Sequence, residues 1–539
     1  MRFASFGLGD TSYPKFNWAH RKLYNRLIQL GAQPVCDRGE SDEQHPEGID
    51  GSFLPWSTNL RHRLLEEYPL PKGVHPIPDD VLLDPKWVLA FVDNSSAAPQ
   101  TLELVPEATT NGDTVDTPPL DLLNIPNGIT AQVTSNERIT PTTHFQDVRH
   151  LKLSLAGTHP YVPGDVLTLY PKNFPSDVSN FISLMDWTPI ADVPLHFVPS
   201  APSVSPTATL PIPHVSHSAT ITLRRLLTNH LDIIAIPRRS FFAQLAHYTT
   251  DPFHRDRLLE FTNPEYIDEL YDYTTRPRRS ILEVLQEFES VKIPWQRICS
   301  IIPALRGRQF SIASALNASA AIHGKTEIEL LIAIVKYKTV IKRIRQGVAT
   351  RYIASLASGQ DITVTLSKGG LGVSAKEVDR PVVMVGPGTG VAPMRALIYQ
   401  RKQWREEARG DAAASDAAQV KDLLFFGCRN AEADYFFKDE WAALKKEHVP
   451  LDVFAAFSRD QRQKVYVQDL IRQESSLIYD ALSKKNGIIY ICGSSGKMPQ
   501  AIREALIEGF QEHGSLSRDE AEQYLAGMEK GGRYRQETW

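Results

Sequence analysis

The chain ends Gly532-Arg533-Tyr534-Arg535-Gln536-Glu537-Thr538-Trp539, which puts an indole and a carboxylate where a polypeptide is usually frayed and polar. An indole there is useful if it stacks on a flat ligand. Upstream, Arg308-Gln309-Phe310-Ser311 supplies groups suited to a flavin: a guanidinium for phosphate, an aromatic face for the ring and a hydroxyl for a ring nitrogen. On spacing alone the same run is also a strand with a core Phe beside a surface Arg. Together with Gly386-Pro387-Gly388-Thr389-Gly390 and Tyr490-Ile491-Cys492-Gly493, these residues read as a flavin and a nicotinamide held face to face, with Trp539 as a shutter.

Two glycine turns offer different chemistry. Residues 343–356 read as a loop, Gly347-Val348-Ala349-Thr350, feeding a helix whose free N–H groups and dipole suit a pyrophosphate. A simple capped helix start is the alternative. Val382-Val383-Met384-Val385 and the turn after it read as strand, loop, helix. Three glycines within five residues favour close approach of a ligand at Gly388, Thr389 and Gly390, although Val391 stands where the dinucleotide fingerprint has its third glycine. Further on, Ser458-Arg459 and Lys464-Val465-Tyr466 provide two cations and two hydroxyls for a 2′-phosphate, which selects NADPH over NADH. Asp460 is the discordant residue, and a solvated charge cluster is the alternative.

These groups need elements to hold them. Residues 2–6 look like a buried strand, residues 18–30 a helix with Leu23, Leu27 and Leu30 at helical spacing and Gly31 as C-cap, and Pro34 starts another strand. That is the back half of an α/β doubly wound domain, opened inside its own sheet. Residues 68–126 are rich in Pro, Ser, Thr, Asn and Asp and read as a linker. Runs rich in β-branched residues at 128–133, 148–155 and 165–170 suggest an antiparallel barrel, with strands again at 308–313 and 327–337. Helical patterns at 223–231, 240–248 and 281–288 suggest an insert. Past Arg380 the order strand, glycine loop, helix marks a second doubly wound domain. The expected division is 1–67, a partial flavodoxin-like fragment; 68–126, a linker; 127–375, an antiparallel barrel with a helical insert at about 176–295; and 376–539, a doubly wound dinucleotide domain. The fold class is thus α/β plus β-barrel.

Composition narrows the function classes. With 42% hydrophobic and 23% charged residues in 539, the chain can build several cores, and a formal charge of −4 argues against a nucleic-acid protein. Cys36, Cys299, Cys428 and Cys492 are scattered with no Cys-x-x-Cys, so neither a disulfide framework nor a metal site is suggested and a reducing, cytoplasmic compartment fits. No apolar run approaches the roughly 20 residues of a membrane span, and there is no signal-peptide pattern.

The order of these motifs, from Tyr161-Val162-Pro163-Gly164-Asp165 through residues 308–311, 347–350 and 386–393, then Gly427-Cys428-Arg429, Ser458-Arg459, residues 490–493 and Trp539, resembles the diflavin reductases. That family contains cytochrome reductase, nitric oxide synthase reductase domains and the sulfite reductase flavoprotein. Gly7 with its following loop, Asp42-Glu43-Gln44-His45 and the ending Glu537-Thr538-Trp539 look most like its members in cytosolic iron–sulfur protein assembly. The resemblance implies that Arg308 and residues 347–350 bind FAD phosphates, that Phe310 stacks on the flavin where most relatives carry Tyr, and that Tyr337 contacts the ribityl or phosphate region. It implies a hydride path lined by Ser311, Cys492 and Glu537, the last often Asp in relatives, and gated by Trp539. Arg429, Ser458, Arg459, Lys464 and Tyr466 would contact NADPH. Tyr13 would stack on FMN, with Asp42 in the acidic edge loop where acceptors dock. The early part of an FMN domain would precede Met1, so the FMN site is expected to be incomplete. Electrons would pass from NADPH through FAD, and FMN in an intact chain, to an iron–sulfur assembly protein. An FAD-only reductase with a diffusible acceptor, or a non-catalytic scaffold, are the other readings.

Overall fold

The structure is a computed structural model that describes residues 1–11, 13, 15–78, 81–92, 116–205, 207–316, 324–409 and 420–539. It has two compact units. The first takes Met1–Pro118, Lys172–Arg306 and Tyr337–Arg345; the second takes Pro119–Pro171, Gly307–Lys336 and Gln346–Trp539.

In the first unit short strands pair in parallel, Arg2–Phe3 with Gln33–Pro34 and Phe6–Gly9 with Gly39–Asp42, beside helices Trp18–Gln29 and Asp50–Glu67. The single buried strand expected at residues 2–6 is therefore two strands with different partners, and Leu8 is 68% exposed. Gln33 and Val35 N–H donate to Met1 O and Phe3 O on either side of Pro34, whose missing N–H the ladder does not need. The helix at Trp18–Gln29 ends as expected, with Gly31 at φ 83°, the left-handed conformation glycine takes without strain.

The expected linker holds a strand. Trp87–Phe91 runs antiparallel to Leu195–Pro199, and Trp87 and Leu89 are buried with Val88 and Ala90 half-buried. This period-two pattern is short, and the flanking prolines masked it. Residues 93–115 of that stretch lie outside the described residues. Helices Leu223–Asn229, Arg239–Leu245 and Ile281–Glu287 stand where the pattern placed them, and their apolar faces share a core with Phe181, Phe261 and Trp187. Ser280 and Glu283 form a capping box that fixes the start of the third.

The second unit holds both sheets that carry the site. Six antiparallel strands run in the order Arg308–Ser311, Val166–Leu169, Asp361–Ser367, Ile129–Arg138, Val148–Ala156, Lys325–Ala333. An Ile312↔Leu330 bridge, and Ala313 N–H donating to Glu329 O at 2.8 Å, bring the two end strands together into a nearly closed barrel. Five parallel strands follow in the order Leu451–Phe457, Asp422–Cys428, Val382–Val385, Ile488–Gly493, Tyr534–Thr538. All four residues of Val382–Val385 are buried, as a strand covered by helices on both faces requires. The order reverses at this strand, so a crevice opens at the carboxyl ends of Val382–Val385 and Ile488–Gly493.

Buried arginines tie these sheets together. Arg395, on helix Val391–Arg409, donates to both oxygens of Glu440 at 2.7 and 3.0 Å and to Ala313 O at 2.8 Å, and it meets Glu329 at 3.0 Å. Ala313 lies two residues past Ser311, so this guanidinium links strand Arg308–Ser311 to the helix behind the glycine turn. Arg401, 2% exposed, makes a bidentate pair with Asp422 at 2.9 and 3.1 Å and donates to the carbonyls of Glu377, Val378 and Arg380.

Candidate functional site

The parallel register sets Cys492 opposite Glu537 and Gly493 opposite Thr538 at the mouth of the switch-point crevice. The glycine turn closes on the same point. A Cβ on Gly390 would fall 2.3 Å from Cys492 O and 3.0 Å from Gly493 Cα, so only glycine lets the turn seat against that strand. Cys492 is fully buried, and burial, then the Glu537 charge, pushes its thiol well above the ordinary range. Burial thus favours the neutral thiol over the thiolate. Glu537 has one carboxylate oxygen, Oε2, buried with no hydrogen-bond partner among the described residues. Burial raises its carboxyl above the usual value, the Gly370 amide opposes this and Asp165 adds to it. Trp539 is half-exposed, but its main chain is fixed: its N–H donates to Gly493 O at 3.0 Å and its carbonyl accepts from Ser495 at 3.2 Å.

On the barrel, Ser311 pairs with Val166 and Phe310 with Leu167. Phe310 and Ser311 are half-buried while Gln309 is exposed. Asp165 organises the loop beside them: its carboxylate accepts from Val162 N–H at 3.0 Å and Gly369 N–H at 3.1 Å, and its carbonyl accepts from Ile312 N–H at 3.2 Å. Gly164 lies at φ 91°, and a Cβ on Gly369 would sit 1.5 Å from Gly164 O. The helix Val348–Ser355 starts at Gly347, which offers no capping side chain; the Gly347 N–H, expected at the phosphate, donates instead to Val335 O at 3.0 Å, which leaves the amides of Val348, Ala349 and Thr350 for an anion. The Thr350 hydroxyl is engaged within the fold, accepting from Val335 N–H at 3.0 Å. These groups fit FAD: an uncapped helix start for pyrophosphate, with Arg308, Phe310 and Ser311 on one strand. Tyr337, in the first unit, is 44% exposed.

The third cluster lies at the carboxyl ends of Asp422–Cys428 and Leu451–Phe457. Ser458 N–H donates to Cys428 O at 3.0 Å and Arg459 N–H to Arg429 O at 2.8 Å, which brings Arg429, Ser458 and Arg459 together. Asp460, discordant in the sequence, pins the two loops to each other, because its carboxylate accepts from the Asn430 side chain and, at 2.8 Å, from Ala431 N–H. Ser458 is buried, while Arg459, Lys464 and Tyr466 are exposed. Gly388, at φ 58°, has no atom within 4 Å of its Cβ direction, so the turn is open at that residue.

In the first unit Tyr13 is 40% exposed. Asp42 is half-buried, and its carboxylate accepts from Thr11 N–H at 2.9 Å, Thr11 Oγ1 at 2.6 Å and Gln44 N–H at 3.0 Å, which shapes the loop. An aromatic face beside such a loop fits a flavin ring. Glu47 pairs with Arg239, and Glu43 lies 4.0 Å from Arg238.

Asp165 and Asp460 stand out in the sequence only as the end of a Gly-Asp turn and as a discordant charge, and their anchoring roles show only in the fold. Gly370, whose amide opposes the rise of the Glu537 carboxyl, escapes sequence reasoning, because its partner lies far along the chain.

Profiles for known families cover the same three regions: a flavodoxin profile matches residues 1–56, an FAD binding domain profile 124–352, and an oxidoreductase NAD-binding domain profile 384–504. The chain is 49% identical over 550 residues to NADPH-dependent diflavin oxidoreductase 1 of Aspergillus fumigatus, covering 100% of this chain and 84% of the relative. It is 51% identical over 556 residues to that of Emericella nidulans, with the same coverage. To that of Xenopus laevis it is 38% identical over 552 residues, covering 100% of this chain and 85% of the relative. No helix among the described residues is long and apolar enough to cross a membrane. The three flavin and nucleotide modules, in this order and with these relatives, make the chain a member of the NADPH-dependent diflavin oxidoreductases, enzymes of NADPH-driven flavoprotein electron transfer built for NADPH, FAD and FMN.

Proposed function

We propose that the crevice at Cys492 and Glu537 is the hydride-transfer site and that the electrons go to an iron–sulfur protein of the cytosolic assembly machinery, which places the protein in the cytoplasm. The observation that carries the site is the buried Glu537 Oε2, which has no partner among the described residues, beside Cys492. A buried carboxylate oxygen left bare costs free energy unless a ligand completes it. A nicotinamide ring becoming cationic as hydride leaves is such a ligand.

In this reading Ser458, Arg459, Lys464 and Tyr466 hold the 2′-phosphate, and Arg429, Gly388, Thr389 and Gly390 receive the rest of the dinucleotide. Arg308 with the amides of Val348, Ala349 and Thr350 holds FAD phosphate, the Gly347 amide being spent on Val335 O at 3.0 Å; Phe310 covers the flavin ring, Ser311 donates to it and Trp539 stacks on it. Tyr13 and Asp42 serve FMN. Bound FAD supplies acceptance of a hydride and release of single electrons. Cys492 fills space and keeps water out, and Glu537 supplies negative charge where the ring turns positive. The division into residues 1–67, 68–126, 127–375 and 376–539 fits these assignments.

Support for an iron–sulfur acceptor comes from the family resemblance and from the acidic segment Asp42-Glu43 near Tyr13, a surface suited to a basic face. The test is anaerobic flavin bleaching by NADPH and by NADH, followed by transfer to a purified iron–sulfur assembly protein. NADPH should bleach flavin far faster than NADH, and cluster reduction should slow as salt rises. Equal rates with both nucleotides would sink the NADPH site, and an unreduced cluster would sink the acceptor.

A further inference from the structure

Phe145 is 61% exposed, yet it is held in place. It stands at the tip of the loop joining strands Ile129–Arg138 and Val148–Ala156, and that loop is braced from within. Arg138 donates to the carbonyl oxygens of Thr140 at 3.0 Å, Pro141 at 2.9 Å and His144 at 3.0 Å. Thr140, buried, donates its hydroxyl to Gln146 O at 2.8 Å and accepts from Val148 N–H at 3.1 Å. A loop with this many internal bonds presents its tip in one geometry.

The tip meets the turn after strand Asp422–Cys428 at two points. The Phe145 ring centre lies 4.0 Å from the guanidinium carbon of Arg429. His144 Nε2 stands 4.0 Å from the carboxylate of Asp434, and that carboxylate accepts the N–H groups of Arg429 at 3.0 Å and Asn430 at 2.7 Å. One loop thus touches both the side chain of Arg429 and the group that anchors its main chain.

We propose that Phe145 is a positioning residue for Arg429, holding its guanidinium ready for a phosphate oxygen of NADPH; the proposal rests on Arg429 being a nucleotide contact. A cation stacked on a ring face keeps all its N–H groups in the guanidinium plane, free for an anion. Without the ring, a long exposed side chain samples many rotamers and loses part of its binding energy to ordering. Nothing polar on Phe145 would touch the nucleotide, so its effect passes through Arg429.

The test is calorimetric binding of NADP⁺ to the full chain, comparing wild type, Phe145→Ala, Phe145→Leu, Phe145→Tyr, Arg429→Ala and the double variant Phe145→Ala with Arg429→Ala. Phe145→Ala and Phe145→Leu should weaken NADP⁺ about fivefold, the ratio expected from one exposed cation–ring contact, while Phe145→Tyr keeps wild-type affinity. The double variant should bind no more weakly than Arg429→Ala alone. In turnover, Phe145→Ala should raise KM for NADPH with kcat unchanged. Wild-type affinity in Phe145→Ala, or the same weakening in the Arg429→Ala background, would overturn the proposal while leaving Arg429 in its role. Wild-type affinity in Arg429→Ala would overturn the role of Arg429 and the proposal with it.

Discussion

Replacing Gly390 by Ala tests whether the glycine turn sets the position of Cys492. The added Cβ would lie 2.3 Å from Cys492 O, 2.8 Å from its carbonyl carbon and 3.0 Å from Gly493 Cα, and ordinary contact begins at 3.4 Å. Turn and strand end must therefore part by about 1 Å, because every atom in the way is backbone and none can rotate aside. Glu537 is carried along, since it pairs with Cys492 in the same sheet. A displacement of about 1 Å between reacting groups costs on the order of 100-fold in rate. Anaerobic stopped-flow bleaching of the flavin by NADPH should slow by about that factor, with FAD still bound, because the proposed FAD phosphate contacts at Arg308 and at the start of helix Val348–Ser355 lie on other elements. Gly527→Ala is the matched control: its Cβ would meet nothing within 4 Å on helix Arg518–Lys530, so the rate should hold and stability should rise by about 1 kcal/mol. Bleaching by the Gly390→Ala variant within about threefold of wild type would refute the reasoning.

Three further outcomes are expected. Because burial holds the Glu537 carboxyl above its ordinary 4.5, the wild type loses stability as pH rises from that value through the raised one; Glu537→Gln should therefore gain thermal stability over wild type as pH climbs, and lose the advantage in acid. A gain that instead grows toward low pH would contradict the sign. Arg401→Met leaves Asp422 buried at 3% exposure with fewer partners, and denaturant melts should show a loss of about 3–5 kcal/mol; a change below about 1 kcal/mol would mean water replaces the guanidinium. Asp460→Ala unpins the loops at Asn430 and Ala431, so KM for NADPH should rise about fivefold. Tighter NADPH binding would show that its charge acts by repulsion alone.

What the sequence reveals here follows from range. The parallel strands are legible because central ones are wholly apolar, as in Val382–Val385, and each glycine turn follows directly. The helical insert is legible from spacing at Leu223, Leu226 and Leu227. Trp87–Phe91 is not, because its partner strand begins more than a hundred residues later and only that partner makes its alternation meaningful. The residue types of the proposed hydride site can be read locally, but the register that sets Cys492 against Glu537 cannot. Asp460 shows the same limit, since its sign argued against a phosphate site until Asn430 and Ala431 gave the charge another use. Phe145 carried no pattern at all.

The two main-chain bonds at Trp539 bear on timing. With its N–H on Gly493 and its carbonyl on Ser495, the residue cannot move as a loose tail. As the proposed shutter over the flavin, its indole would leave only by turning about its own side-chain bonds, a rotation that takes picoseconds to nanoseconds when exposed, whereas peeling the strand Tyr534–Thr538 would take microseconds or more. At turnover numbers of order 10 per second, a gate of the first kind is always at equilibrium. Its identity would then govern how strongly the nucleotide must compete for the ring, and so affinity and nucleotide preference, but never the frequency of opening.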